Sequence, residues 1–254
     1  MFSRWFILPF RHLLSIGFKN ASAVQAISSY PAEWARRMGY QGETLIIPNG
    51  VDVAYFANAQ YVQHRVLDTT TLVTMSRLVH KNAIDDVIRA LALLTDNIRF
   101  LIYGTGHDES SLKALAKNCG VEHRVKFMGH VEHSKLPMLL GGCDIFIRPS
   151  RSEGMGNSFI EAMAAGVPVI ATQEGGIADF LYDAKRNPDR ETTGWAVDKD
   201  SPEQIAEAVK DILAHPEKVA SATASARRFV AEKYDWNLIT KQMQGVFARL
   251  LGNR

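Results

Sequence analysis

Strand-length apolar runs alternate with segments of helical period along most of this chain, which restricts the folds open to it. The apolar runs are residues 23–28, 44–48, 71–75, 99–103, 124–128, 144–148, 167–171 and 194–197. One helical segment starts at Pro31, and the others span residues 83–94, 108–118, 133–140, 202–213, 216–233 and 236–251. Continuous apolar strands separated by helices are typical of a parallel sheet covered on both faces. The sequence therefore predicts an α/β fold with a Rossmann-like parallel sheet, a helical N-terminal segment and C-terminal helices.

The composition limits the size of the domain, the class of ligand and the compartment. The 254 residues can bury a sizeable core in one large domain or one and a half. The 29 basic and 27 acidic residues nearly cancel, which argues against an extended nucleic-acid-binding face. Cys119 and Cys143 match no metal or disulfide spacing and are typical of buried thiols in a reduced compartment. We therefore expect a cytoplasmic protein.

Residues 1–19 mix apolar and basic side chains, and Pro9 interrupts them. The segment is too short and too charged to cross a bilayer, and no convincing signal cleavage site follows it. It predicts an amphipathic helix with two placements open. The helix packs on the core, or it gives the protein a peripheral contact with the inner face of the membrane.

Residues 151–161 place two carboxylates, Glu153 and Glu161, around a glycine-bearing turn that leads into a helix. A helix N-terminus offers unpaired N–H groups and favours an anion. The arrangement suits a sugar nucleotide, with N–H groups for its phosphates, one carboxylate near the sugar and the other within reach of the ribose. Glu153 and Glu161 taken alone also fit acidic residues near a helix start.

Other strand ends carry residues suited to the same ligand. Arg77 and Lys81 follow the 71–75 run, and this pair of cations suits a diphosphate, although it also fits a solvated basic loop. Glycines follow two further runs and let a backbone approach a ligand closely. These glycines are Gly104, Gly106, Gly175 and Gly176. The 104–106 segment lacks the third glycine and the distant acidic residue of a dinucleotide site.

An ordered set of short motifs covers residues 23–245 approximately. Its members are residues 47–52, Arg77 with Lys81, 103–106, 125–129, 136–137, 143–144, 149–154, 161–169 and 175–177. In order and spacing, the set resembles the nucleotide-sugar-binding half of the family 4 retaining glycosyltransferases, which have the GT-B fold. The resemblance implies transfer of a sugar from a nucleoside-diphosphate sugar to a glycan or lipid-linked acceptor, as in polysaccharide biosynthesis.

The resemblance also implies a role for each site residue. Arg77 and Lys81 neutralise the donor diphosphate, Glu153 positions the donor sugar, and Glu161 hydrogen-bonds the ribose. The leaving phosphate takes the acceptor proton, and the reaction requires neither a metal nor a cofactor. The implied nucleotide-sugar-binding residues are Gly104, Gly106, Gly154, Met155, Gly156, Asn157, Ser158, Glu161, Gly175 and Gly176. UDP is the preferred nucleotide of this interpretation.

The sequence departs from the family pattern in two respects. Asn82 replaces the usual glycine after the lysine, which we interpret as a mild change because asparagine tolerates positive φ. The acceptor-binding N-terminal domain is mostly absent, so we expect a truncated form that binds donor more readily than it transfers sugar. The expected division is a remnant of that domain at residues 1–50, a donor-binding domain at 51–235 and a C-terminal helix at 236–254.

Three functions remain open at this level. The first is the glycosyltransferase or its donor-binding half. The second is a non-enzymatic nucleotide-sugar-binding module or subunit that needs a separate acceptor domain, and the third is a GT-B nucleotide-sugar epimerase. No metal site is predicted: His130 and His133 lack a third ligand, and Asp198 and Asp200 resemble a helix cap more than a metal-binding pair.

Overall fold

The computed structural model describes residues 10–58 and 68–252 of the chain. Its strands are β1 (Val24–Ala26), β2 (Thr44–Ile46), β3 (Thr70–Met75), β4 (Ile98–Tyr103), β5 (Val125–Gly129), β6 (Ile145–Arg148), β7 (Val169–Ala171) and β8 (Trp195–Ala196). Its α-helices are α1 (Arg11–Asn20), α2 (Ser29–Arg37), α3 (Val53–Ala57), α4 (Ile84–Leu91), α5 (Glu109–Asn118), α6 (Leu136–Gly141), α7 (Asn157–Ala165), α8 (Pro202–Ala214), α9 (Pro216–Lys233) and α10 (Trp236–Gly252).

Strands β3 to β8 form one six-stranded sheet in the order β5-β4-β3-β6-β7-β8. Every neighbouring pair in it is parallel. From β3 the chain adds strands outwards to β5 on one side, and from β6 it adds them outwards to β8 on the other side. A crevice therefore opens beyond the carboxyl ends of β3 and β6. This architecture confirms the predicted α/β fold and places the site residues that follow β3 and β6 at the crevice.

Helices cover both faces of this sheet because its strands are apolar on both sides. All four residues of β6 are buried. One core packs α4, α5 and α8 against the sheet and includes Leu72, Ile88 and Ile205. The other core packs α3, α6, α7 and α9 against the opposite face and includes Phe56 and Phe159. Two cores on a shared sheet hold the strand ends in a fixed arrangement.

Strands β1 and β2 form a separate two-stranded parallel sheet. The chain returns to this region after α9, where Val51 bridges to Asp235 in parallel. A cavity of about 380 Å³ lies between residues 43–47 and α10. The β1–β2 unit and α10 thus lie outside the main sheet, and the division of the chain at residues 50 and 235 stays a prediction.

The structure differs from the sequence prediction in several local features. Helix α2 begins at Ser29, two residues before Pro31. Helix α3 lies in a stretch without clear periodicity, and the Asp52 carboxylate caps it by accepting the Tyr55 N–H at 2.9 Å. Both cysteines are free thiols that are half-buried rather than buried, and burial raises the pKa of Cys143 to about 12.

The predicted N-terminal helix is described only in part. Residues 1–9 lie outside the described residues, and α1 covers Arg11–Asn20. Leu13 and Ile16 of this helix are largely exposed, so the described part does not bury its apolar face fully. None of the helices in residues 10–58 and 68–252 is long and apolar enough to cross a membrane.

Candidate functional site

The loop between β6 and α7 carries Glu153 to the crevice. Gly156 is the N-cap residue immediately before α7 and has a φ of +84°, and no side chain caps this helix terminus. The first N–H groups of α7 therefore remain available to an anion. A Cβ at Gly156 would lie 2.4 Å from Nη2 of Arg148, so glycine is required both for its φ and for its close packing on that side chain.

Three groups hold the Glu153 carboxylate. Its Oε2 accepts a hydrogen bond from Nη2 of Arg148 at 3.1 Å, and its Oε1 accepts the Gly154 N–H at 2.9 Å. Lys81 Nζ lies 3.7 Å from the same Oε1. The side chain is 14% exposed, which leaves part of the carboxylate accessible from the crevice. The structure thus brings together Glu153 and Lys81, two residues that the sequence analysis assigned to one site.

Arg148 contacts the candidate site residues, and the sequence analysis did not assign it to the site. It is the last residue of β6, it is buried, and its Nη1 donates to Ser158 Oγ at 2.9 Å. Its guanidinium lies 4.1 Å from the centroid of the Phe159 ring. Burial lowers the pKa of Arg148 to about 10, although the charges of Glu153 and Glu161 oppose this shift. A cation at the end of an otherwise apolar strand was the available signal.

Glu161 is the middle residue of α7 and is buried. Its Oε1 lies 2.8 Å from Nε2 of His133, whose side chain is 68% exposed. The His133 ring also packs edge to face on Phe56, with 5.9 Å between the centroids. His133 therefore covers the carboxylate that the sequence assigns to a ribose, a contact that the sequence analysis missed.

The segment after β3 carries the two predicted cations. Arg77 is exposed, and within the described residues its guanidinium forms no hydrogen bond or ion pair with another side chain. Asn82 is buried and donates its Nδ2 to the Arg77 carbonyl at 2.7 Å. The residue with positive φ is Ala83, at +54°, and not Asn82. The prediction that Asn82 is tolerated for its backbone conformation is therefore wrong, because this residue acts through its side chain.

Arg151 anchors the Lys81 segment to the neighbouring loop. Its backbone N–H donates to the Lys81 carbonyl at 2.8 Å, and its Nη1 donates to the His80 carbonyl at 2.7 Å. The guanidinium also pairs with Asp85 at 2.8 Å and with Asp86 at 2.7 Å. These bonds fix the backbone that carries Lys81 relative to the loop that carries Glu153.

A cavity of about 310 Å³ lies beyond the carboxyl ends of β3, β4 and β5. Its walls include Arg77 after β3, Gly104 after β4, and Ser158 and Glu161 of α7. It thus combines a cation, a buried carboxylate and an uncapped helix N-terminus in one concave surface. This is the arrangement expected of a small-molecule site in an open α/β sheet.

Several buried polar atoms lie at the same strand ends without a hydrogen-bond partner in the described structure. They are Oγ of Ser76 and Oγ1 of Thr74 on the β3 side, and Nε of Arg148 and Oγ of Ser150 on the β6 side. Buried polar atoms without partners are uncommon in folded proteins. Side-chain atoms of Thr44, Asn82 and Arg124 share this property in the described structure, so it is not confined to the crevice.

The paired glycines allow close contact between neighbouring loops, and their predicted contact with a ligand stays a prediction. A Cβ at Gly104 would lie 1.9 Å from the Ser76 carbonyl oxygen, and one at Gly106 would lie 2.1 Å from the Leu78 carbonyl oxygen. Gly175 and Gly176 approach the carbonyl oxygens of residues 153 and 154 equally closely. These glycines therefore let adjacent loops pack backbone to backbone, while Gly104 also lines the cavity.

The N-terminal segment contacts the site loop directly. The Ser28 hydroxyl donates to the Gly154 carbonyl at 2.5 Å. The Asn49 N–H lies 3.4 Å from the sulfur of Met155, and the Asn49 amide donates to Asn157 Oδ1 at 3.0 Å. Residues 23–50 therefore support the loop that carries Glu153, which the sequence analysis did not anticipate.

The acidic pair before α8 is occupied by ion pairs. Asp198 exchanges hydrogen bonds with Gln204 and pairs with Arg186 at 3.0 Å, and Asp200 pairs with Arg151. Helix α8 begins at Pro202 as expected, but Ser201 makes no side-chain cap. The described residues contain no group of three or more His, Cys, Asp or Glu side chains that could hold a metal ion.

Comparison with known proteins identifies the family. The model for "Glycosyl transferases group 1" matches residues 60–229. The chain belongs to this glycosyltransferase family. It is 30% identical over 257 aligned residues to a GDP-mannose-dependent alpha-(1-6)-phosphatidylinositol monomannoside mannosyltransferase of Mycobacterium tuberculosis. That alignment covers 94% of this chain but 65% of the mannosyltransferase. The match confirms the predicted resemblance to family 4 glycosyltransferases.

Solved structures confirm the fold. The crystal structure of HepE from Anabaena, in complex with UDP and glucose, matches with a TM-score of 0.85 at 22% identity, covering 95% of this chain and 67% of that one. Sucrose-phosphate synthase from Thermosynechococcus elongatus matches with a TM-score of 0.86 at 24% identity, covering 97% and 63%. The chain thus has the Rossmann-like fold of one half of the GT-B glycosyltransferases and spans about two thirds of the length of these proteins.

Proposed function

We propose that this group 1 glycosyltransferase chain binds a nucleoside-diphosphate sugar and carries the donor half of a retaining, metal-independent sugar transfer. The observation that supports this function best is the cavity beyond β3 to β5, which combines Arg77, Ser158 at the α7 N-terminus and the buried Glu161. A diphosphate is bound by cations and N–H donors, and a ribose hydroxyl is bound by a hydrogen-bond acceptor. The cavity offers the groups for both parts of the ligand.

The proposed reaction uses these groups in sequence. Arg77, Lys81 and the α7 N-terminus stabilise the negative charge that develops on the leaving diphosphate. Glu153 positions the donor sugar, and Glu161 holds the ribose. The acceptor hydroxyl attacks the face from which the diphosphate departs, so the anomeric configuration is retained. The leaving phosphate then takes the hydroxyl proton.

The proposed acceptor is a glycan or a lipid-linked molecule. The mycobacterial relative is described as acting on a phosphatidylinositol monomannoside, which is a glycolipid. We also propose a cytoplasmic location with peripheral contact at the membrane, supported by the exposed apolar side chains Leu13 and Ile16 on α1. Transfer to an acceptor needs surfaces that orient it and exclude water.

A thermal-shift panel of UDP, GDP, ADP and CDP tests the donor site. A ligand that binds only the folded protein raises its melting temperature in proportion to the logarithm of concentration. We expect at least one nucleoside diphosphate to stabilise the protein. UDP is bound in the Anabaena structures and GDP-mannose appears in the name of the mycobacterial relative, so these two are the first to compare. No shift with any of the four would contradict the proposal.

A second candidate is a donor-binding subunit that acts with a separate acceptor domain. The β1–β2 sheet favours it, since parallel sheets are normally covered on both faces, whereas Ile46 of β2 is 48% exposed. Product analysis with a bound nucleotide sugar separates the candidates. Sugar transfer by the chain alone supports the enzyme, conversion of the donor without acceptor supports an epimerase, and binding without turnover supports the subunit.

A further inference from the structure

The buried guanidinium of Arg148 contacts three residues of the candidate site. It donates to Glu153 Oε2 at 3.1 Å and to Ser158 Oγ at 2.9 Å, and it lies on the ring of Phe159 at 4.1 Å. Arg148 is 6% exposed, whereas Lys81 and Arg77 lie on the accessible side of the crevice. The side chain therefore contacts the residues that line the site rather than a ligand within it.

We propose that Arg148 is a positioning residue: it neutralises Glu153 from within the protein and thereby allows a diphosphate to bind close to two carboxylates. This inference rests on the proposed donor site. It assigns a role to a residue for which the family resemblance implies none.

The electrostatic reason is a conflict within the site. A diphosphate at the α7 N-terminus would lie near Glu153 and Glu161, and like charges a few ångströms apart repel strongly where solvent is excluded. Lys81 already lies 3.7 Å from Glu153, so a Glu153 without another partner would hold this cation away from the ligand. Arg148 supplies the compensating charge from a buried position, where salt screens it weakly.

The packing around Arg148 fixes its geometry. The absence of a side chain at Gly156 lets the backbone at the start of α7 lie against the guanidinium, since a Cβ there would be 2.4 Å from Nη2. The bond to Ser158 links the same guanidinium to the second residue of α7. Arg148 therefore sets the position of Glu153 relative to the helix N-terminus that would bind the phosphates.

Calorimetric titration with inorganic pyrophosphate and with UDP tests this role. We expect Arg148→Met to weaken both ligands by about tenfold or more, because the charge of Glu153 is then unopposed from within. We expect Arg148→Lys to stay within about threefold of wild type, since lysine keeps the charge but not the two-pronged hydrogen bonding. Arg124→Met is the matched control, because Arg124 is also buried but binds the carbonyls of residues 91, 94 and 95.

A double-mutant cycle with Glu153→Gln tests whether Arg148 acts through Glu153. In the Glu153→Gln background, we expect Arg148→Met to change pyrophosphate affinity by less than about threefold. An equal loss in both backgrounds, or wild-type affinity in Arg148→Met, would overturn the inference. If Arg148→Met does not fold, as judged by circular dichroism, the double variant is compared with Glu153→Gln, since removing both charges is better tolerated than removing one. Wild-type protein that binds neither ligand would refute the donor site itself.

Discussion

The His133 imidazole covers the buried Glu161 carboxylate, with 2.8 Å between Nε2 and Oε1. The two residues come from different elements, a short turn before α6 and the body of α7. A ribose bound by Glu161 would therefore share this carboxylate with His133. The contact fixes the carboxylate in the part of the cavity that we propose for the nucleoside.

We predict that His133→Ala weakens UDP binding by about 1 kcal/mol, because Glu161 loses a partner that orients it and the exposed histidine limits the effect. His133→Gln keeps an amide donor and should bind UDP nearly as well as wild type. Pyrophosphate lacks the nucleoside and should bind all three proteins equally. Calorimetry that finds pyrophosphate affinity reduced as much as UDP affinity would show that His133 does not act on the nucleoside end.

Removal of the exposed Arg77 guanidinium after β3 should weaken the binding of the diphosphate group. We predict that Arg77→Ala weakens nucleoside diphosphate binding by about 2 to 5 kcal/mol, as for a hydrogen-bonded charge pair that loses one partner. Arg36→Ala is a suitable control because Arg36 is an exposed arginine on α2 that pairs with Glu33. Unchanged affinity in calorimetry would remove Arg77 from the site.

Substitution of Glu161 and substitution of Glu153 should weaken the binding of different ligands. We predict that Glu161→Ala weakens nucleosides and nucleotides alike, because it removes the acceptor for the ribose. Glu153→Ala should spare UDP and reduce the additional affinity of the nucleotide sugar over UDP. Titrations with uridine, UDP and UDP-glucose check both variants. Loss of uridine binding in Glu153→Ala would mean that the two roles are reversed.

Gly156 should tolerate no side chain. We predict that Gly156→Ala lowers the free energy of unfolding by about 2 to 4 kcal/mol, because a methyl group clashes with Arg148 and Phe159 in addition to the unfavourable φ. Gly120 has a φ of +71° and nothing within 4 Å of its Cβ position, so Gly120→Ala isolates the backbone cost. Urea denaturation should show a smaller loss for Gly120→Ala, about 1 kcal/mol.

Asp86 should give the stability a distinct pH dependence. Burial, reinforced by the charge of Asp85, raises the pKa of Asp86 from 3.8 to about 6. Between these values the folded protein binds the proton more tightly than the unfolded chain, so this group contributes stability at low pH that is lost as the pH rises towards 6. Asp86→Asn should remove this component.

The measurement is urea denaturation of Asp86→Asn and wild type at several pH values from 4 to 7. The difference in free energy of unfolding between the two proteins should change across this window and level off above it. Asp96→Asn is the control, since the Asp96 side chain is 90% exposed. A difference that is constant from pH 4 to 7 would contradict the raised pKa of Asp86.

Much of the fold and part of the site follow from local sequence. Each predicted strand of the main sheet occurs within a few residues of its predicted position because a buried parallel strand must be a continuous apolar run. Arg77, Lys81 and Glu153 lie in segments that follow strands, and Glu161 lies in the helix after the second of these segments. The carboxyl ends of parallel strands meet at one edge of a sheet. Their common location was therefore predictable from chain order.

What the sequence alone determined is the periodicity of burial, and with it the α/β class and the strand ends at which the candidate site residues lie, whereas the order of the strands in the sheet came from the structure. Only the tertiary structure decided which side chains meet: Arg148 with Glu153, His133 with Glu161, and Asn82 with the Arg77 backbone. It also showed that the paired glycines pack loop against loop. The physical reason is that periodicity records which residues leave water, whereas hydrogen-bond partners distant in sequence depend on how the packed loops close.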